Sequence, residues 1–169
     1  MKELPDLEAY RPNVGICLLN REGQVWLGER KPPKSGQSLD FRWQMPQGGM
    51  DPGETPAQTA VRELAEETGV TSARLLTITP GWLVYEFPQG YRMRKKDKWQ
   101  GQRQKWALML FEGDDSEIDL EADDEPEFLR WRWASLEEMP DLVVPFKRGV
   151  YTALKESFLP FAAFLTEGR

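Results

Sequence analysis

The sequence predicts a mixed α/β domain, and three observations carry that reading. Short apolar or alternating runs, bounded by Gly, Pro, Asn and Asp, recur along the chain as strands would. Two stretches, residues 56–68 and 145–165, read instead as helices. An apolar fraction of 40% with seven tryptophans in 169 residues argues for one domain with a sizeable core and against disorder. No internal repeat or linker divides residues 1–169.

In chain order, residues 1–12 form a polar lead-in. Val14–Leu19 reads as a strand, Asn20-Arg21-Glu22-Gly23 as a turn and Gln24–Arg30 as the hairpin partner. Lys31–Asp40, with two prolines, two serines and a glycine, is a loop, and Arg42–Pro46 is a short extended segment. A helix follows over Pro56–Thr68. Thr55 stands at its cap, Pro56 just inside, and Gly69 at its stop, where positive φ is needed. Ala60, Leu64 and Val61 supply its core side. Ala73–Thr79, Trp82–Phe87, Lys105–Glu112 and Leu129–Trp133 read as strands, the last with Trp131 and Trp133 on one face. Ser135 caps a helical turn that Pro140 ends, and the final helix is interrupted near Pro160. Periodicity does not give the order of the strands.

The chemistry concentrates between Gly48 and Val70. Gly48 is followed after five residues by Glu54, and after seven more by Arg62-Glu63-Leu64-Ala65-Glu66-Glu67-Thr68-Gly69-Val70. Glu63, Glu66 and Glu67 lie three and four residues apart, so their carboxylates leave one edge of one helix. Like charges at that spacing repel, and hard oxygen ligands favour Mg²⁺ or Mn²⁺ among them. An Arg-Glu-Leu-x-Glu-Glu run alone is common on solvated helices. Seven fixed residues at roughly 6–7% usage each, however, coincide by chance at a given start on the order of once in 10⁸.

Charge and composition narrow the function classes. The chain has no histidine, which excludes a histidine base, a Ser-His-Asp triad and histidine metal ligands. Acid–base work then falls to carboxylates, lysine, tyrosine or metal-bound water. Net charge is −6, but residues 92–105 hold seven basic residues and one acid, whereas residues 112–127 hold ten acids and no base. An acidic protein is a poor non-specific nucleic-acid binder, and no DNA partner is expected, yet a local basic loop can hold phosphates. The single Cys17 sits in an apolar run as a small core residue and fits a reducing, cytoplasmic setting. No apolar run is long enough to span a bilayer, and the start has no signal-peptide core.

The Gly48–Val70 stretch resembles the Nudix box, complete and without departure. The flanks extend the resemblance: Tyr10–Gly15, Trp43–Gly49, Gly101–Trp106, Pro126-Glu127-Phe128 and Phe146–Tyr151 occur in order. Together they resemble the bacterial RNA pyrophosphohydrolases and the closely related diadenosine polyphosphate hydrolases over roughly residues 9–155. The resemblance implies an α/β/α sandwich with a central mixed sheet. It also implies Mg²⁺- or Mn²⁺-dependent hydrolysis; because Mg²⁺ takes only one or two carboxylates besides water and phosphate oxygens, three or four glutamates suggest more than one ion when substrate is bound. The substrate would be 5′-triphosphorylated RNA, losing pyrophosphate, or a dinucleoside polyphosphate. The loop Lys31–Asp40 is similar in length to that of the diadenosine-type enzymes.

The resemblance further implies roles. Glu63, Glu66, Glu67 and, from outside the box, Glu127 would bind metal together with the carbonyl near Gly48; the general base falls among Glu66, Glu67 and Glu127. Glu54 and Arg62 form a supporting ion pair. Arg11, Arg30, Gln47, Lys95, Gln104, Lys105 and Lys147 are candidates to contact substrate, and Tyr85 and Phe146 to stack on a base. Core packing is the plainer reading of Phe146, and a solvated acid that of Glu127. Two other function classes compete. Box-bearing nucleotide sensors usually have damaged glutamates, whereas every one is present here; a general nucleoside triphosphate pyrophosphatase fits the box but not the flanks.

Overall fold

The computed structural model describes residues 6–32, 40–91 and 99–167. Eight strands form one sheet: β1 (Tyr10–Leu19), β2 (Val25–Arg30), β3 (Trp43–Gln44), β4 (Gln47–Gly49), β5 (Ala73–Ile78), β6 (Leu83–Glu86), β7 (Gly101–Phe111) and β8 (Phe128–Ala134). The main path runs β3-β2-β1-β7-β5, with β4 on β1, β6 on β7 and β8 on β2. β1 and β7 are parallel, paired from Tyr10↔Gly101 to Leu19↔Leu110, while the other pairings are antiparallel. The sheet is therefore mixed, as expected.

Side-chain alternation along β1 and β7 divides the core in two. Val14, Ile16, Leu18, Ala107, Met109 and Phe111 pack with Ala60 and Leu64 of helix α1 (Pro56–Thr68). Cys17, Leu19, Trp106 and Leu108 pack on the opposite side with Val150, Tyr151, Leu154 and Phe158 of helix α3 (Arg148–Glu167) and with Met139 of the short helix α2 (Met139–Leu142). Helices thus cover both faces of the sheet in an α/β/α sandwich. Gly15 lets the two strands carry Trp106, since a Cβ there would lie 2.5 Å from the indole ring. Cys17 is fully buried, as its apolar setting predicts. Among the described residues no helix is long and apolar enough to cross a membrane.

Helix α1 begins and ends where its signals predict. Thr55 and Gln58 form a reciprocal capping box, Pro56 opens the first turn, and Gly69 closes the helix at φ 73°. Val61 departs from expectation: it is 55% exposed, one position round the helix from the buried Ala60–Leu64 stripe. Two proline readings are also corrected. Pro140 lies in the first turn of α2, where its missing N–H costs nothing, and does not end it. Helix α3 runs unbroken through Pro160, which stands on its exposed side. There the unpaired carbonyl one turn earlier can bond water. β7 starts at Gly101, four residues before the expected start at Lys105, because polar Gln102 and Gln104 continue the strand.

The loop between β4 and α1 is strapped to the helix by Arg62. Its Nε and Nη2 donate to the two oxygens of Glu54 at 2.7 and 2.9 Å, and Nη2 also donates to the Gly49 carbonyl at 3.0 Å. Glu54 accepts as well from the Asp51 amide at 3.0 Å and the Thr59 hydroxyl at 2.7 Å. The Arg62 hydrogen bonds, followed by those of Asp51 and Thr59, pull the Glu54 carboxyl from its ordinary 4.5 down to about 2.

Two outcomes follow for stability. Leu64→Ala, emptying a fully packed site between α1 and the sheet, should cost about 2–5 kcal/mol in urea unfolding; a loss below about 1 kcal/mol would contradict the packing described. A carboxyl held below its unfolded pKa stabilises above that value and stops doing so as pH falls through its folded pKa. The thermal midpoint of Glu54→Gln should accordingly lie below that of the wild type at pH 7, and the two should converge between pH 4.5 and about 2. A gap that stays constant down to pH 2 would contradict the strap.

Candidate active site

A cavity of about 270 Å³ opens where the N-terminal ends of β1 and β7 meet β4 and the carboxylate edge of α1. It brings together nine of the residues singled out from sequence: Arg11, Arg30, Gln47, Gly48, Glu63, Glu67, Tyr85, Glu127 and Lys147. It also contains Asn13, Gln44 and Gln102, which sequence reasoning missed. For Asn13 and Gln102 the signal was the strand period: Arg11 and Asn13 share the β1 face of Cys17 and Leu19, and Gln102 and Gln104 the β7 face of Trp106 and Leu108. The site is the polar continuation of the α3-side core.

Carboxylates form one wall. Glu67 is half-buried at the cavity wall, and its Oε2 accepts from the Gln47 amide at 3.2 Å. Burial first, then the neighbouring charges of Glu63 and Glu127, push its carboxyl well above the ordinary range. Glu63 is raised too, by burial, although Arg62 Nη1 donates to it at 2.8 Å. Gly48 makes room for that carboxylate, since a Cβ on Gly48 would lie 1.9–2.2 Å from its carboxyl atoms. Glu127 arrives from the start of β8 and meets Arg30 at 3.5 Å. Among the described residues no three carboxylates converge as a closed metal centre. The donor set is nevertheless one of hard oxygens crowded enough to raise a buried carboxyl, and that chemistry fits a divalent cation.

Amides and a lysine form the facing wall. Lys147 is buried in the 3₁₀ turn Pro145–Lys147, and its Nζ donates to Oε1 of Gln44 at 3.1 Å and of Gln47 at 3.2 Å. With only neutral acceptors at hydrogen-bond distance, burial and the charge of Arg30 draw its pKa from 10.5 to about 7. Gln47 Nε2 donates to Gln102 Oε1 at 3.1 Å, and the Tyr85 hydroxyl donates to the same oxygen.

A second cavity, of about 510 Å³, adjoins the first, and Arg30, Gln44, Tyr91 and Lys147 line both. Phe41, Tyr91 and Phe146 give it aromatic surface. Phe146 packs 5.7 Å from Tyr85 and 5.3 Å from Tyr91 between ring centroids while keeping a face on the cavity. Tyr85 itself is 6% exposed and belongs chiefly to the core.

Other expected residues lie apart. Glu66 does not line the cavity; it is on the solvent side of α1, paired with Arg62 Nη1 at 3.2 Å. The cation that the glutamate spacing demands is thus, in part, Arg62 itself. Gln104 is behind the cavity wall, where its Nε2 donates to Asn13 Oδ1 at 2.8 Å. Lys105 is on the opposite face of β7, with its ammonium 5.2 Å from the Trp82 ring centroid and bonded to the Pro80 carbonyl. Adjacent strand residues cannot share a face, so Gln104 and Lys105 could not both serve one cavity. Lys95 lies outside the described residues.

The same geometry can be set against known proteins. A NUDIX domain profile matches residues 9–154. The chain is 51% identical over 164 residues to the RNA pyrophosphohydrolase of Caulobacter vibrioides (strain NA1000 / CB15N), covering 96% of this chain and 92% of that protein. It is 45% identical to the RNA pyrophosphohydrolase of Rhodopseudomonas palustris (strain BisB18), covering 90% of each. In fold it is similar to a C. elegans Ap4A hydrolase binary complex, with TM-score 0.61 and 21% identity over 93% of this chain and 98% of that one. The E. coli dihydroneopterin triphosphate pyrophosphohydrolase gives TM-score 0.64 and 18% identity over 88% and 98%. At such identities the structural likeness shows the fold alone, but the profile covers most of the sequence and the curated relatives nearly all of it. The chain belongs to the NUDIX family.

Proposed function

We propose that this chain is a pyrophosphohydrolase that removes pyrophosphate from the 5′ end of triphosphorylated RNA. One observation carries the reading: a carboxylate-walled cavity continues directly into an aromatic-lined one, with Arg30 and Lys147 at their junction. A polyphosphate in the first and a base in the second is the arrangement that a 5′ terminus requires. That the 51% and 45% identical relatives are RNA pyrophosphohydrolases supports it.

In this reading Glu63, Glu67 and Glu127, with the Gly48 carbonyl, hold Mg²⁺ or Mn²⁺, more than one ion once substrate is present. Such ions neutralise phosphate oxygens and lower the pKa of bound water. Arg11, whose guanidinium stands 2.8 Å from where a Gly49 Cβ would be, meets the phosphates with Arg30 and Lys147. Phe146 offers a ring to the base. Of the three candidate bases, Glu67 and Glu127 line the cavity, which supports assigning them the proton taken from water. Glu66 supports them through Arg62. The chain works as one domain, in the cytoplasm, with neither DNA nor membrane as partner. A second reading, hydrolysis of dinucleoside polyphosphates, is favoured by the length of segment 31–40, which resembles the diadenosine-type enzymes.

Glu67→Gln and Glu63→Gln should each lower kcat by about 100-fold or more with far-UV circular dichroism unchanged. Gly48→Ala should do the same, because its methyl displaces the Glu63 carboxylate. Near-normal turnover by Glu67→Gln would sink the assignment. Comparing kcat/KM for 5′-triphosphate RNA with that for diadenosine tetraphosphate decides the substrate. The RNA reading expects a preference for RNA that grows when a second nucleotide is added; a preference for the dinucleotide would replace it with the second reading.

A further inference from the structure

The amide wall has a fixed polarity, set from behind the cavity by Trp106 and from within it by Lys147. Trp106 is fully buried, and its indole nitrogen can only donate. It donates to Gln104 Oε1 at 3.2 Å, which commits the Gln104 amide nitrogen to the other side. That nitrogen donates to Asn13 Oδ1 at 2.8 Å and to Gln47 Oε1 at 3.4 Å. Gln47, with its oxygen so occupied and also bonded by Lys147, turns its own nitrogen to Gln102 Oε1. Gln102 Oε1 is held from its other side by the Tyr85 hydroxyl, and Gln44 Oε1 by Lys147.

Every amide oxygen in the wall is thus used inside the protein. What remains are the side-chain nitrogens of Asn13, Gln44 and Gln102, none of which has a hydrogen-bond partner among the described residues. All three side chains are at least nine-tenths buried, and all three line the cavity that holds Glu63 and Glu67. Buried amide N–H₂ groups left open toward a cavity call for an acceptor ligand.

We infer that two groups able only to donate set the amide orientation of this wall, the Trp106 indole acting through Gln104 on Asn13 and the Lys147 ammonium acting on Gln44 and, through Gln47, on Gln102, so that Asn13, Gln44 and Gln102 present N–H donors to the non-bridging oxygens of a polyphosphate. This rests on the hydrolase reading above. A reversed wall would set carbonyl oxygens against phosphate oxygens, beside carboxylates that already repel them. Trp106 is then a positioning residue that never touches substrate. Its ring is held in register by Gly15 beneath it and by Tyr151, edge-on at 5.7 Å.

The test uses inorganic tripolyphosphate with Mg²⁺, titrated calorimetrically into the intact protein. Asn13→Asp and Gln102→Glu keep shape while exchanging the donor for an oxygen, and each should weaken binding by about tenfold or more. Trp106→Phe keeps the ring and loses only the N–H. It should raise KM for 5′-triphosphate RNA about fivefold with kcat held within about twofold. Wild-type affinity in both Asn13→Asp and Gln102→Glu would overturn the inference and leave the hydrolase reading standing. A Trp106→Phe loss confined to kcat and thermal stability would overturn the relay. A wild type that neither binds tripolyphosphate nor hydrolyses either substrate would remove both the reading and the inference.

Discussion

The parallel ladder between β1 and β7 is the constraint on which the rest depends. Ten paired positions put every second side chain of both strands on the same face, so the two strands act as one double-width surface. Toward their C-terminal ends both faces are apolar and hold the two helical layers in place. Toward their N-terminal ends the α3-side stripe turns polar, through Arg11 and Asn13 on one strand and Gln102 and Gln104 on the other. One piece of backbone geometry therefore serves packing at one end and chemistry at the other.

Around that ladder the charges are arranged by what each neighbour can neutralise. Arg62 compensates Glu54, Glu63 and Glu66, which lets three acids and a base occupy one corner of α1 at little cost. Glu67 has no such partner; the Gln47 amide is its one hydrogen-bond donor among the described residues. Lys147, across the cavity, bonds only neutral oxygens. The site thus keeps an undercompensated anion and an undercompensated cation, each responsive to a ligand of opposite sign.

How much of this was legible beforehand depended on whether the signal was local. Helix α1, its caps at Thr55 and Gly69, the Glu54–Arg62 pair and the hairpin turn at Asn20–Gly23 all rest on interactions within about eight residues, and their residue types announce them. Glu127 was reachable only through family resemblance, because the Arg30 that meets it is on another strand. Asn13, Gln44 and Gln102 were missed because the role of a neutral amide follows from its partners across the sheet, and only the resemblance pointed to Gln47 and Gln104. Lys105 misled for the converse reason: its charge was conspicuous, but the pleat turns it toward Trp82. Pro160 misled because a proline's cost depends on whether water can reach the freed carbonyl, which a local pattern does not show.

The hydrogen bonds that complete the cavity also set when it can exist. Asn13 bonds Gln104 across 91 residues of chain, Gln44 bonds Lys147 across 103, and the Met45 amide bonds Tyr151 across 106. Helix α1 and the first hairpin can organise from local contacts, but the wall facing the carboxylates closes only after these distant segments are in place and the loop-closure entropy has been met. During synthesis the acidic edge of α1 is made long before the segments that answer it. The ladder that fixes the fold joins the same distant segments, so fold and site close together and partly made chains carry the glutamates without the site.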